Sequence, residues 1–409
     1  MDQEPSKQEL SNHGPSNSMN SAISPDSFEW KLLLAATAAN FSDKGRTRLG
    51  SLINPLRDRT LDTESLLRCA DFHGTSSLLY RNLRSVPGAL STALLESLHQ
   101  RYTTNVQKSL FLARELGRIL DCAHALGIGL VAYKGIVLSE IYYRDIAMRQ
   151  AGDIDLFVRK REVVRMKGAL RELGYVPSLH IPETSEADYL ASGYEYSFDS
   201  AAGKHLLELQ WALQPRYHAV DYDMDGLFAR AVEVTAVDRH IKIPSPEDLL
   251  LILCVHAAKH VWGRLIWLCD IAQIVQRGNL DFDSALARAH ELGIMRILHV
   301  TLLLANRFIE MPIPAKIESV ITADNAAHAF AAEVTPSIVA GTSWEEHKMS
   351  YFRLMMRLRE RRSDQIGFVT RLTFTPGPGE WQAMKLPRVL SPLYKAVRMV
   401  RLAARFANR

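Results

Sequence analysis

Cysteine is scarce. The 409 residues contain four, Cys69, Cys122, Cys254 and Cys269, too few and too scattered for a disulfide scaffold. That scarcity points to a reducing compartment, the cytoplasm. Long apolar runs are missing as well: the longest, residues 249–255, falls far short of the roughly 20 residues a membrane-spanning helix needs. Charge of one sign is not in excess. With 49 basic and 45 acidic side chains the formal net charge is +4, so no dense basic stripe marks the chain as a nucleic-acid binder. No internal repeat is visible. No glutamate follows His256 in His256-Ala257-Ala258-Lys259-His260, so the zinc-protease pattern is absent. Cys254 falls about 200° around a helix from His256, which argues against a shared zinc site.

Apolar residues are plentiful, at 47% against 23% charged, enough to bury a large core in more than one subdomain. Residues 1–27 are rich in Ser, Asn and Pro and read as a disordered leader. Residues 28–120 carry apolar side chains at three- and four-residue spacing, a helical region. Residues 121–245 alternate short strand patterns with helices. Residues 130–133 and 153–158 read as buried strands, 136–146 and 160–173 as helices, 194–198 and 204–211 as a strand pair, and 232–243 as a hairpin turning at Asp238-Arg239-His240. Ser245-Pro246-Glu247-Asp248 opens a further helix with a cap residue, a proline in the first turn and acids at the positive end of the dipole. A C-terminal helical domain then runs over 246–372. Residues 373–409 read as a loop followed by a basic amphipathic helix bearing Lys395, Arg398, Arg401, Arg405 and Arg409. Peripheral membrane contact by that helix is a secondary reading; a solvated face on an ordinary docking helix is favoured.

The chemistry gathers around Asp153-Ile154-Asp155. Residues two apart on a strand point to one face, so both carboxylates face the same way, a costly arrangement unless a cation lies between them. Hard carboxylate oxygens suit magnesium, with manganese able to replace it. Lys134-Gly135 closes the preceding apolar run, where a glycine before a helix lets backbone amides approach phosphate. Arg149, with Gly152 after it, could reach a triphosphate through a planar fork of donors. Glu208 offers a third carboxylate from a neighbouring strand. The segment 256–270 places His256, Lys259, His260, Trp262, Arg264, Trp267 and Asp270 against the cleft, with His256, His260 and Arg264 as substrate-side candidates. Trp211 reads as core.

The ordered set Tyr133-Lys134-Gly135, Arg149-x-x-Gly152-Asp153-Ile154-Asp155-Leu156, Glu208-Leu209-Gln210-Trp211 and His256-Ala257-Ala258-Lys259-His260 resembles the bacterial uncharacterised nucleotidyltransferase family, within the polymerase-β-type superfamily. The resemblance covers about residues 30–390. It implies a mixed, helix-rich α+β fold: a minimal nucleotidyltransferase sheet between N- and C-terminal helical regions. It further implies transfer of a nucleoside monophosphate from an NTP, ATP by default, to an acceptor that is a small molecule, saccharide, peptide or protein. Asp153, Asp155 and Glu208 would be catalytic and metal-binding; Lys134, Gly135, Arg149 and Gly152 would hold the nucleotide. Two positions depart from the pattern. Ile136 follows Gly135 where the superfamily has a second small residue, and Gln210 stands where the family has His. The alternative they leave open is a catalytically degraded module that binds nucleotide or a partner protein.

Overall fold

The computed structural model describes residues 24–407 other than 39–40, 42, 55–60, 87–90, 183–184, 202, 278, 343, 345–348 and 377–392, with backbone alone for 204–205 and 402–407. Most of the expected leader, and the loop from 377 onward, lie outside the described residues.

Five helices lead in: Phe28–Thr37, Asp43–Ile53, Thr63–His73, Ser76–Arg84 and the 34-residue Thr92–Ala125. Local chemistry starts three of them, because Ser27, Asp62 and Ser91 each accept a hydrogen bond from an otherwise unpaired amide in the first turn. A five-stranded sheet follows, made of β1 (Leu130–Ala132), β2 (Ile154–Val158), β3 (Val176–Pro177), β4 (Glu195–Ser200) and β5 (Gly203–Gln210). Its order is β1-β2-β5-β4-β3; β2 and β5 run parallel and every other pair is antiparallel. A separate hairpin, β6 (Val232–Ala236) and β7 (Arg239–Ile243), lies beside β1. It turns at Val237-Asp238, one residue earlier than the sequence suggests. Both turn residues have positive φ, the conformation that matches strand twist in a two-residue hairpin loop.

The expected helix over 136–146 breaks into a four-residue turn, Gly135–Leu138, and a π-helical segment, Ser139–Tyr143, closed by Arg144 in the left-handed region. The helix Arg362–Phe374 extends two residues into the segment read as loop. Helices Pro246–Lys259, Leu265–Gln276 and Met295–Ile309 form the centre of the C-terminal part.

Two apolar cores sandwich the sheet. On one face Ile154, Leu156, Val158, Leu207 and Leu209 meet Leu112, Leu116, Met166 and Leu170 from the helices Thr92–Ala125 and Val163–Glu172. On the other, Phe157 and Tyr133 join a larger core in which the first helices (Trp30, Leu33) pack with the C-terminal ones (Leu250, Ile271, Leu298). Each fully buried Leu or Ile contributes about 1.5–3 kcal/mol, and those on β2 and β5 also fix the register. Asp155 lies directly beside Glu208 in the parallel pair, both on the face away from the leucines.

Candidate active site

Asp153 immediately precedes β2, Asp155 is the second residue of β2, and Glu208 sits beside it on β5. One carboxylate oxygen from each lies within 4.8 Å of the other two. Asp155 is buried; Asp153 and Glu208 are half-buried. Burial, then the charge of Asp155, pushes the Asp153 carboxyl up to about 6. Burial, then Glu195 and Asp155, raises Glu208 well above the usual range. Three acids in one partly dry place cannot all hold their charge cheaply unless a cation joins them.

One cation is built in. The Lys134 ammonium is 2.9 Å from Asp155 Oδ1, and both side chains are buried. Burial works against the charge of Lys134, but Asp155 and its acidic neighbours keep it firmly protonated. Lys134, expected at the phosphates, is thus turned onto a carboxylate of the acidic triad. Gly135 has φ +62°, and a Cβ there would meet the Asp153 carbonyl at 3.2 Å. It is buried at the head of a four-residue helix and packs beside the start of the acidic strand. Gly152 is exposed, with open space where a side chain would stand.

Gln210 organises the third acid. Its Oε1 accepts from the Tyr133 hydroxyl at 2.8 Å, and its Nε2 donates to Glu208 Oε2 at 2.9 Å and Glu195 Oε2 at 3.2 Å. Tyr133 is itself stacked on Phe157, centroids 4.1 Å apart, which fixes its hydroxyl. Glu195 lies on β4, where strand alternation alone does not mark it as part of the site. Its register opposite Gln210 puts it on the acidic face, a fact that depends on the β4–β5 pairing.

The model of the family described as uncharacterised nucleotidyltransferase matches residues 59–310, more than half of the chain. The chain belongs to this family. No curated protein and no solved structure matches it. The matched span includes every site residue named above and stops short of the last helices, so the family's defining part is the sheet with its helical neighbours on both sides.

Within that span Arg149 takes a different place from the one expected. It is 6% exposed, its Nε lies 2.9 Å from Asp270 Oδ2, and the Tyr143 hydroxyl donates to Asp270 Oδ1 at 2.8 Å. A buried guanidinium needs such a partner, because an unpaired buried charge costs several kcal/mol, on the order of 3–5. The sequence could not supply it: Asp270 is far along the chain. The charge of Arg149 still acts on Asp153, lowering its carboxyl against burial, as Lys134 and Lys108 also do.

The helical wall opposite the triad depends on one tight turn. Val261 and Trp262 both have φ 50°, held by complete burial of the Trp262 indole and its bond to Thr301 Oγ1 at 2.8 Å. The turn brings the rings of His256, His260 and Trp267 together at 4.9–5.3 Å. Burial, then Lys134, pushes the His256 imidazole well down, so it faces the site neutral. Burial and then Arg149 lower Arg264, while Asp153 opposes them, so Arg264 is an electrostatic neighbour of both. Lys134, Arg149, the three acids, His256 and Arg264 are thus neighbours, and His260 packs against His256 in the ring cluster.

A cavity of about 350 Å³, lined by Lys167, Tyr175, His180 and Tyr196 among others, opens beside the opposite face of the sheet and does not include the triad. Among the described residues no helix is long and apolar enough to cross a membrane.

Proposed function

We propose that the protein is a divalent-cation-dependent nucleotidyltransferase that moves a nucleoside monophosphate from an NTP, ATP by default, to an acceptor with release of pyrophosphate. The observation that carries the reading is the convergence of Asp153, Asp155 and Glu208 within 4.8 Å, in a chain of this family. The donor set fits magnesium or manganese: all are hard carboxylate oxygens, and two of the acids have raised pKa values that a cation would reverse. Asp153, Asp155 and Glu208 would hold the ion, which when bound supplies charge neutralisation and Lewis acidity at phosphate oxygens. Lys134 aims the Asp155 carboxylate through their 2.9 Å ion pair. Arg264, Arg149 and Lys108 make the Asp153 end cationic, which suits a triphosphate. Gln210 holds Glu208 in place beside the acceptor oxygen, which attacks the α-phosphorus as the bond to the bridging oxygen breaks. His256 stands neutral behind Lys134.

A second reading, a nucleotide-binding module without turnover, draws support from Gln210 standing where the family has His: glutamine cannot take up and release a proton. Incubating the protein and host extract with each NTP labelled at the α-phosphate separates the two. Label transfer that needs magnesium and is lost in Asp153→Asn supports the enzyme. Undiminished transfer by Asp153→Asn overturns it. Binding of NTP with no label transferred in any extract favours the module.

A further inference from the structure

Lys134 and Arg149 direct their charge at Asp155 and Asp270; Lys259 has no such partner. Its ammonium donates to the Tyr194 hydroxyl at 3.2 Å and stands 5.0 Å from the centre of that ring. Among the described residues no carboxylate lies within ion-pair distance of it. Lys259 shares a cavity of about 20 Å³ with Gln214 and Arg359; the Arg359 guanidinium is paired with Asp364 at 3.4 Å, while its buried Nε and Nη1 have no partner. The half-buried Lys259 ammonium, hydrogen-bonded to a phenol and with no carboxylate at ion-pair distance, is open to an anionic ligand.

The position of Lys259 says which ligand would complete it. Tyr194 immediately precedes Glu195, whose carboxylate shares the Gln210 amide with Glu208. Burial, then Glu195 and Glu208, raises the Tyr194 phenol, which therefore feels the acids on the Gln210 side of the triad.

We propose that Lys259 and Tyr194 form an anion-binding subsite for the acceptor, which therefore carries a phosphate or carboxylate group. The proposal rests on the nucleotidyltransferase reading, in which Glu208 is the acceptor-side carboxylate. It narrows the acceptor from any nucleophile to an anionic one, and it separates Lys259 from the triphosphate.

Calorimetry on the full-length protein tests it, with magnesium and a saturating non-hydrolysable α,β-methylene ATP, using three probes of one skeleton: glycerol 3-phosphate, glycerate and glycerol. At least one anionic probe binds the wild type and glycerol does not; the stronger of the two anions identifies phosphate or carboxylate. Lys259→Met weakens that binding by about tenfold or more, whereas Lys259→Arg keeps it within about threefold. Affinity for the ATP analogue stays within about twofold in both variants, and matching thermal melts exclude misfolding. Failure of both anions to bind, or unchanged binding in Lys259→Met, overturns the subsite while leaving the nucleotidyltransferase reading intact. Loss of ATP-analogue affinity in Lys259→Met places Lys259 on the triphosphate and also overturns it. Failure of the wild type to bind the analogue at all removes the nucleotidyltransferase reading, and the subsite with it.

Discussion

Asp153 and Asp155 belong to one acidic triad, but replacing each with asparagine should move stability in opposite directions. Asp153 is an acid whose charge the fold opposes. Its carboxyl rises from 3.8 to about 6 on folding, so at neutral pH its ionisation costs the metal-free protein about 3 kcal/mol, at 1.36 kcal/mol per pH unit. Asp153→Asn removes that cost and should raise the urea midpoint in EDTA at pH 7.5. Asp155 instead neutralises the buried Lys134 ammonium at 2.9 Å. Asp155→Asn leaves that ammonium without its nearest partner and should lower stability by roughly 3–5 kcal/mol. The pH dependence follows from linkage. A group whose pKa is raised by folding contributes fully below its unfolded value and loses that contribution as pH climbs through the folded one. The gap between Asp153→Asn and wild type should therefore be small at pH 4, open between about pH 4 and 6, and stay constant above. Both variants should lose label transfer. If Asp153→Asn is destabilised as much as Asp155→Asn in EDTA at pH 7.5, the picture of one strained and one paired carboxylate is wrong.

Three further outcomes follow from the same geometry. Stabilisation by magnesium or manganese should grow with pH, by up to about tenfold in affinity per unit for each proton released, because protons must leave Asp153 and Glu208 first; thermal melts at pH 5.5 and 7.5 with equal shifts would contradict it. Asp270→Asn should cost roughly 3–5 kcal/mol by unpairing buried Arg149 and should weaken NTP affinity, whereas an unchanged melting temperature would mean the pair carries no weight. Gly135→Ala should destabilise by about 1–2 kcal/mol through its left-handed backbone and press on the Asp153 carbonyl, so transfer should fall along with stability; a melt and a transfer rate like wild type's would show that the turn tolerates a Cβ.

Much of the site could be read from local pattern. The alternation of Asp153, Ile154, Asp155 and Leu156 gives a strand with one acidic and one apolar face, and the same alternation from Leu207 to Gln210 gives its neighbour. What pattern could not give is partnership across distance. Arg149 and Asp270, or Lys259 and Tyr194, belong to elements brought together only by packing, and their spacing carries no signal. Lys134 shows the same limit at short range. A lysine at a strand end reads as a phosphate ligand, but once the end is buried the nearest carboxylate claims it. The broken helix after Gly135 was illegible for a related reason: tertiary contacts there, with Ser139 Oγ accepting from Arg149 N and donating to the Asp145 carbonyl, override helical spacing.

The parallel pairing of β2 with β5 has a consequence for how the chain can vary. Glu208 lies between two leucines, so a slip of one residue would send the carboxylate into oil and a leucine into the cleft, erasing the triad and half of a core together. A shift of two would keep the faces but put Leu206-side or Gln210-side chemistry opposite Asp155. The neighbouring strand on its other side, β4, is locked by Glu195 opposite Gln210. Single-residue insertions or deletions within these strands should thus be lost from any functional lineage, whereas length changes in the connections remain open. Correct assembly of the sheet and competence of the site are, in this protein, one inherited trait.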